Sequence, residues 1–293
     1  MKALSLALLA ALTAAPAFAA TPINETRPLD PRGSVDVSNV KGRIEVRAWD
    51  RPEVRVTGSL GDGVERLQIE GDRRRLEVKV RYPRNSRGTG PTTLVLEVPR
   101  MVDLEIDGVA AEIDVSGVAG GDLDIESVSG DVVAVGAPRT ADVSSVSGDL
   151  RLNLNSDKVD AESVSGRIDL RGRISGEISA ETVSGDIRVD SRGEAMRRLS
   201  TSSVSGDASY TGALAPGGRI SAESVSGNLR LALPASLSAR VRGESFSGDL
   251  AAPGARIDRP KYGPGSSFEH TYGDGSGEIR METFSGNAEL VLE

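Results

Sequence analysis

"VDAESVSGRIDL", Val159 to Leu170, reads as a strand, a corner and a second strand. A strand alternates its faces with period two, so Val159 and Ala161 share one face. A step of three then leads to Val164, and period two resumes through Gly166, Ile168 and Leu170. The same frame returns as Ile178, Ala180, Val183, Gly185, Ile187 and Val189, and as Ile220, Ala222, Val225, Gly227, Leu229 and Leu231. Near the C-terminus it returns once more as Ile279, Met281, Phe284, Gly286, Ala288 and Leu290. The odd step marks a corner at the Glu-Ser pair.

Working outward, the glycines of the corner stand at Gly130, Gly148, Gly166, Gly185, Gly206, Gly227, Gly248 and Gly286, with differences of 18, 18, 19, 21, 21, 21 and 38. A repeat of about twenty residues is the mark of a stacked solenoid. Turn-forming stretches separate the copies: "GAPRT" at 136–140, "NSDK" at 155–158 and "APGG" at 215–218. The fold class predicted is all-β, a parallel β-solenoid over residues 106–293 with 18–21 residues per rung and a loop inserted at 252–277.

In this frame Val128, Val146, Val164, Val183, Val204, Val225, Phe246 and Phe284 are expected as one inward column. The glycine two places on would suit either a spot too tight for a Cβ or a positive φ. The neighbouring serines are expected in hydroxyl ladders. Columns of carboxylates flank the corner, Glu126, Glu162, Glu181, Glu223, Glu244 and Glu282 before it and Asp131, Asp149, Asp186, Asp207 and Asp249 after it. A calcium ladder would suit such columns, but the glycine-aspartate nonapeptide of calcium-binding β-rolls is not present.

Residues 20–105 read differently. "GSVDVSNVKGRIEVRAWDRPEVRVTGSL", "RLQIEGDRRRLEVKVRYPR" and "TTLVLEVPRMVDLEIDG" alternate cleanly between turns, which predicts a small antiparallel region able to cap the solenoid. The basic run Arg73, Arg74, Arg75, Lys79, Arg81, Arg84 and Arg87 alternates with Leu76, Val78 and Val80, so it reads as the wet face of a strand. At the other end "NAELVLE" runs as a strand to Glu293 and is expected to leave an open edge, with end-to-end self-association as one consequence.

The first residues, "MKALSLALLAALTAAPAFAATP", carry an early cation, an apolar stretch and a small-x-small exit, the layout of a secretory signal peptide over residues 1–19. Export to the periplasm, cell envelope or extracellular space is the expectation, with no transmembrane segment afterwards. The chain has no cysteine, so disulfides and thiolate metal sites are excluded. A net charge of -8 argues against a nucleic-acid partner.

Catalytic constellations are thin. The single histidine, His270, has Asp274 and many serines nearby in sequence, but no nucleophile-elbow motif accompanies it. A zinc site would need carboxylates around that one imidazole. Neither catalytic residues nor a cofactor is predicted. Tyr262, Phe268, His270 and Tyr272 cluster in the insertion, and loop residues on a rigid scaffold are the expected place for partner or glycan contact. Folding back over the solenoid is the other reading of that cluster.

With "VSNVKGRIEVRAWD" at Val37–Asp50 and the recurrent "SVSGD" and "TVSGD" rungs in view, the chain resembles the bacterial "putative adhesin" family, domain of unknown function 4097, related to the head domain of autotransporter adhesins. The resemblance implies a β-helical envelope or surface protein and supplies no catalytic residues. Three functions are therefore expected: a non-enzymatic scaffold, adhesion or interaction module; a carbohydrate-active β-helix that binds or cleaves polysaccharide; or a self-assembling stack.

Overall fold

The computed structural model describes residues 21–85 and 88–293; the expected signal peptide lies outside the described residues. Among these residues there is no α-helix, and the strands form two long ladders that share one interior. In the first ladder Asp122–Ser127, Thr140–Ser145, Lys158–Ser163 and Glu177–Thr182 pair parallel and in register, followed by 198–203 and 219–224. In the second, Val132–Ala137, Leu150–Leu154 and Ile168–Arg171 do the same, followed by 187–190, 208–211 and Leu229–Leu233. Each turn of chain contributes one strand to each ladder, which is the predicted β-solenoid.

Its interior is filled by the period-two positions. Val159, Ala161, Ile168 and Leu170 are all fully buried, as are their counterparts Ile178, Ala180, Ile187 and Val189. Burial of each large aliphatic side chain contributes about 1.5–3 kcal/mol. Apart from Val133 and Val135, outward positions on these strands are mostly polar, so the alternation seen in the sequence is the alternation of core and solvent.

The corner departs from the expected frame. Val128, Val146, Val164, Val183, Val204, Val225, Phe246 and Phe284 are not inward; they are between 45 % and 56 % exposed. Period two continues one residue further than the frame supposed, to a small hydroxyl residue. Ser127, Ser145, Ser163, Thr182, Ser203, Ser224, Ser245 and Thr283 are the buried members of the corner. The chain then turns, and the apex side chain has only solvent to point into.

Glycine follows from close approach. A Cβ on Gly166 would lie 2.0 Å from the carbonyl oxygen of Gly148, and one on Gly148 would lie 2.0 Å from that of Gly130. The column continues through Gly185, Gly206, Gly227, Gly286 and Gly248 with distances of 1.9–2.2 Å. None of these glycines has a positive φ, so space decides.

Parallel stacking starts earlier than the expected boundary near residue 105. Ser34–Trp49 already spans both ladders and pairs parallel with Asp103–Ala119, while Arg75–Arg81 and Thr92–Pro99 pair parallel with its two halves. Within this N-terminal region antiparallel pairing is confined to the rim, where Thr21–Pro28 joins Glu53–Leu60, Glu53–Leu60 joins Thr92–Pro99, and Arg66–Gly71 joins Arg75–Arg81. The alternating pattern gave the strands correctly, but period two is common to both pairing modes. The part of the basic run from Arg73 to Arg81 lies on this rim, with Leu76, Val78 and Val80 buried and Arg75 paired to Asp36, while Arg87 lies outside the described residues.

The expected open C-terminal edge is also corrected. Ala288–Leu292 is flanked by Leu229–Leu233 on one side and Leu250–Ala251 on the other. Gly277–Thr283 likewise lies between 219–224 and Ala239–Ser245. The last rung of the chain is thus the penultimate rung of the stack, because the insertion carries the chain out and back. The true end of the first ladder is Ser266–Tyr272, antiparallel to Ala239–Ser245.

Candidate functional site

The corners at Gly130, Gly148 and Gly166 share one local device, whereas the buried hydroxyls of Thr182, Ser203 and Ser224 have no hydrogen-bond partner. The Ser163 hydroxyl lies inside the turn and accepts a hydrogen bond from the Gly166 backbone N–H at 2.8 Å; Ser145 does the same for Gly148 at 2.9 Å. Such a side-chain acceptor satisfies the donor that the turn removes from the ladder. Backbone bonds also cross between rungs at the apex, from the Val164 N–H to the Ser145 carbonyl and from the Ser165 N–H to the Val146 carbonyl. The apex is therefore rigid although it faces water.

Stacking repeats this outward side chain on every rung. Pairing places the apex residues in the order Val40, Val109, Val128, Val146, Val164, Val183, Val204, Val225, Phe284, Phe246. At about 4.8 Å per rung, ten apices make a ridge of roughly 43 Å. The two phenylalanines stack at 4.7 Å between centroids with rings 4° from parallel. A continuous exposed apolar strip of this kind marks a contact surface far better than scattered exposed residues do.

Beside the ridge, on the first ladder, runs a shallow groove. Its middle section, about 600 Å³, is lined by Val109, Val128, Val146, Val164 and Val183 together with Asp107, Glu126, Glu162 and Glu181. A second section of about 610 Å³ continues past Val204 and Val225 to Phe246, Phe284, Pro260 and Pro264. The insertion thus forms the end wall of the groove. Among the described residues no group of three or more histidine, cysteine, aspartate and glutamate side chains is arranged to hold a metal ion.

Electrostatics distinguish the two flanks. On the second ladder aspartates that follow the corner are ion-paired, Asp131 and Asp149 with Arg151 and Asp186 with Arg167, while Asp207 accepts hydrogen bonds from Asn228. On the groove flank no ion pair reaches Asp107, Glu126, Glu162 or Glu181 among the described residues. Like charges accumulate there. Partial burial, then Asp160, Glu181 and Asp142, push the Glu162 carboxyl above its ordinary range. Partial burial followed by Asp142 raises Asp160 and Asp124 as well, and Asp36 is the main cause of the rise at Glu105.

The residues expected to bind through the insertion separate in space. Phe268 is 3 % exposed and packs on Gly243, where a Cβ would come within 2.2 Å of its ring. It closes the core at the end of the stack. Tyr272 donates a hydrogen bond to the Pro253 carbonyl at 2.6 Å and meets His270 edge-on at 4.6 Å, which fastens the loop to the terminal strand. Tyr262 alone stands free, 83 % exposed with Lys261 against its ring, near the end wall of the groove. The ridge itself was missed by the sequence frame. One signal pointed to it: in the eight Ser-Gly copies the residue before the apex is serine or threonine, whereas the apex varies from valine to phenylalanine, a freedom that a narrow interior does not allow.

A family model, Toastrack DUF4097, matches residues 33–213, more than half of the chain. The chain belongs to the Toastrack family. Among solved structures, this Toastrack protein is similar to a "putative lipid binding protein" of Parabacteroides distasonis, at 13% identity and a TM-score of 0.50, covering 92% of this chain and 96% of that one. It is also similar to a "putative adhesin" of Bacteroides fragilis, at 10% identity and a TM-score of 0.43, covering 92% and 97%. No curated protein matches it. At such identities the likeness concerns the fold. No helix among the described residues is long and apolar enough to cross a membrane.

Proposed function

We propose that this Toastrack protein is an exported, non-enzymatic interaction module of the cell envelope or surface, and that its working surface is the corner ridge with the groove beside it. The observation that carries this reading is the unbroken row of exposed apices from Val40 to Phe246, whereas the other exposed large apolar side chains among the described residues, Met101, Val135 and Tyr262, stand singly. A rigid solenoid suits adhesion because its contact surface is formed before the partner arrives, so little ordering entropy opposes binding.

The test is capture from envelope extract by the mature protein and by a triple variant, Val146→Ser, Val164→Ser and Val183→Ser. Capture that disappears while the melting temperature holds supports the ridge. Unchanged capture removes it. A second reading, contact with a glycan, rests on the exposed Phe246–Phe284 stack, since aromatic faces are common sugar platforms. Binding of purified surface glycan that is abolished by Phe246→Ala and Phe284→Ala would favour it.

A further inference from the structure

The groove's two rows differ in chemistry, and the difference specifies an occupant. One row is apolar, Val109 through Val204; the parallel row carries Asp107, Glu126, Glu162 and Glu181, with Ser144 between Glu126 and Glu162 and Ser202 at its end. Behind it stand Asp124, Asp142 and Asp160, one strand position further from the corner. The chain is otherwise well supplied with cations, which pair with carboxylates on the second ladder, on the N-terminal rim, at the far side of the first ladder and at Glu282 in the second groove section. Along the middle section no ion pair reaches Asp107, Glu126, Glu162 or Glu181 among the described residues, so the potential beside that stretch of the apolar row is left negative.

We infer that the groove receives a basic amphipathic helix of a partner protein, its apolar stripe on the valine row and its lysines or arginines on the carboxylate row. This rests on the reading of the ridge as a contact surface. In a helix the positions i, i+4, i+7 and i+11 form one stripe along the axis, and the positions flanking them form a parallel stripe that can carry a different chemistry. An extended strand sends alternate side chains to opposite faces and offers one row to a groove. Spacing agrees as well: successive turns of a helix are about 5.4 Å apart and successive rungs about 4.8 Å, so apices and turns stay nearly in step over several rungs. The section from Val109 to Val204 covers five rung intervals, roughly 24 Å, which a helix of about 16–18 residues spans.

A second copy of the chain is disfavoured at neutral pH, because bringing two such grooves together apposes like charges. An anionic lipid surface is disfavoured for the same reason.

The experiment uses the mature chain and two synthetic peptides of about 18 residues, one patterned with leucine and lysine at helical spacing and one with leucine and glutamate. The inference expects the lysine peptide to bind, with affinity falling about 10-fold or more in the variant Glu126→Gln, Glu162→Gln and Glu181→Gln, and again on raising salt from about 0.05 to about 0.5 M. It expects a similar loss in the Val146→Ser, Val164→Ser and Val183→Ser variant, and no binding of the glutamate peptide. Equal binding of both peptides, or lysine-peptide binding that ignores either set of substitutions, overturns it. So does valine-dependent dimerisation with no peptide binding. If the lysine peptide fails while envelope capture still depends on the valines, the contact surface stands and the basic helix is wrong.

Discussion

At the scale of single residues, the corner assigns one duty to each of its members. Serine faces inward and takes the glycine N–H, valine faces outward, and glycine lets one rung lie on the next. Gly166→Ala is therefore expected to cost about 1–3 kcal/mol, since its Cβ meets backbone that cannot move aside. Val164→Ser should change stability by less than about 0.5 kcal/mol, as surface substitutions do. Chemical denaturation of the two variants checks both, and the opposite ranking would place valine in the core. Here the sequence was only half legible. Pattern gives the neighbours Val159, Ala161, Ile168 and Leu170 without error, but a small serine carries no hydropathy signal, so the eye passes over Ser163 and takes Val164 as the next apolar inward position.

At the scale of elements, the strands and their repeat are readable from alternation and glycine spacing, whereas pairing direction and rung order are not. Nothing local in "NAELVLE" records that its strand is covered on both sides, because the covering strand Leu250–Ala251 is supplied by a detour of the chain. The terminal strand Ser266–Tyr272 depends on Phe268, whose ring sits over Gly243. In a solenoid each rung touches only its neighbours, so damage at the end stays local. Phe268→Ala should release amide exchange in 266–272 and in Ala239–Ser245 while leaving Lys158–Ser163 protected. Loss of protection along the whole stack would show that the rungs unfold as one unit.

At the scale of the whole molecule, charge is distributed unevenly: ion pairs hold Asp131, Asp149 and Asp186 on the second ladder, and none reaches Asp107, Glu126, Glu162 or Glu181 in the middle of the groove among the described residues. Glu105, Asp124, Asp160 and Glu162 hold their protons more tightly in the folded chain than ordinary carboxylates do. A raised folded pKa means that the native state binds more protons, so stability falls as pH rises through these values and the cost is fully present above them. Melting temperature should accordingly climb as pH is lowered from neutrality towards the carboxylate range. It should fall again at lower pH, where Asp122 and Asp131, held below their ordinary values by Arg139 and Arg151, become protonated. Asp160→Asn should raise stability at neutral pH and flatten the upper limb of the profile; an unchanged profile would mean that solvent screens the ladder completely.

The ridge running the length of the stack is the claim on which the functional reading rests, and the chain's lack of cysteine makes it directly measurable. Thiols introduced one at a time by Val128→Cys, Val164→Cys and Val225→Cys, with Ile168→Cys as the interior control, can be labelled in the folded protein. The account predicts that all three ridge thiols react as readily as in the unfolded chain while the Ile168→Cys thiol reacts only on unfolding. Protection of the ridge thiols, equal to that at Ile168→Cys, would contradict it.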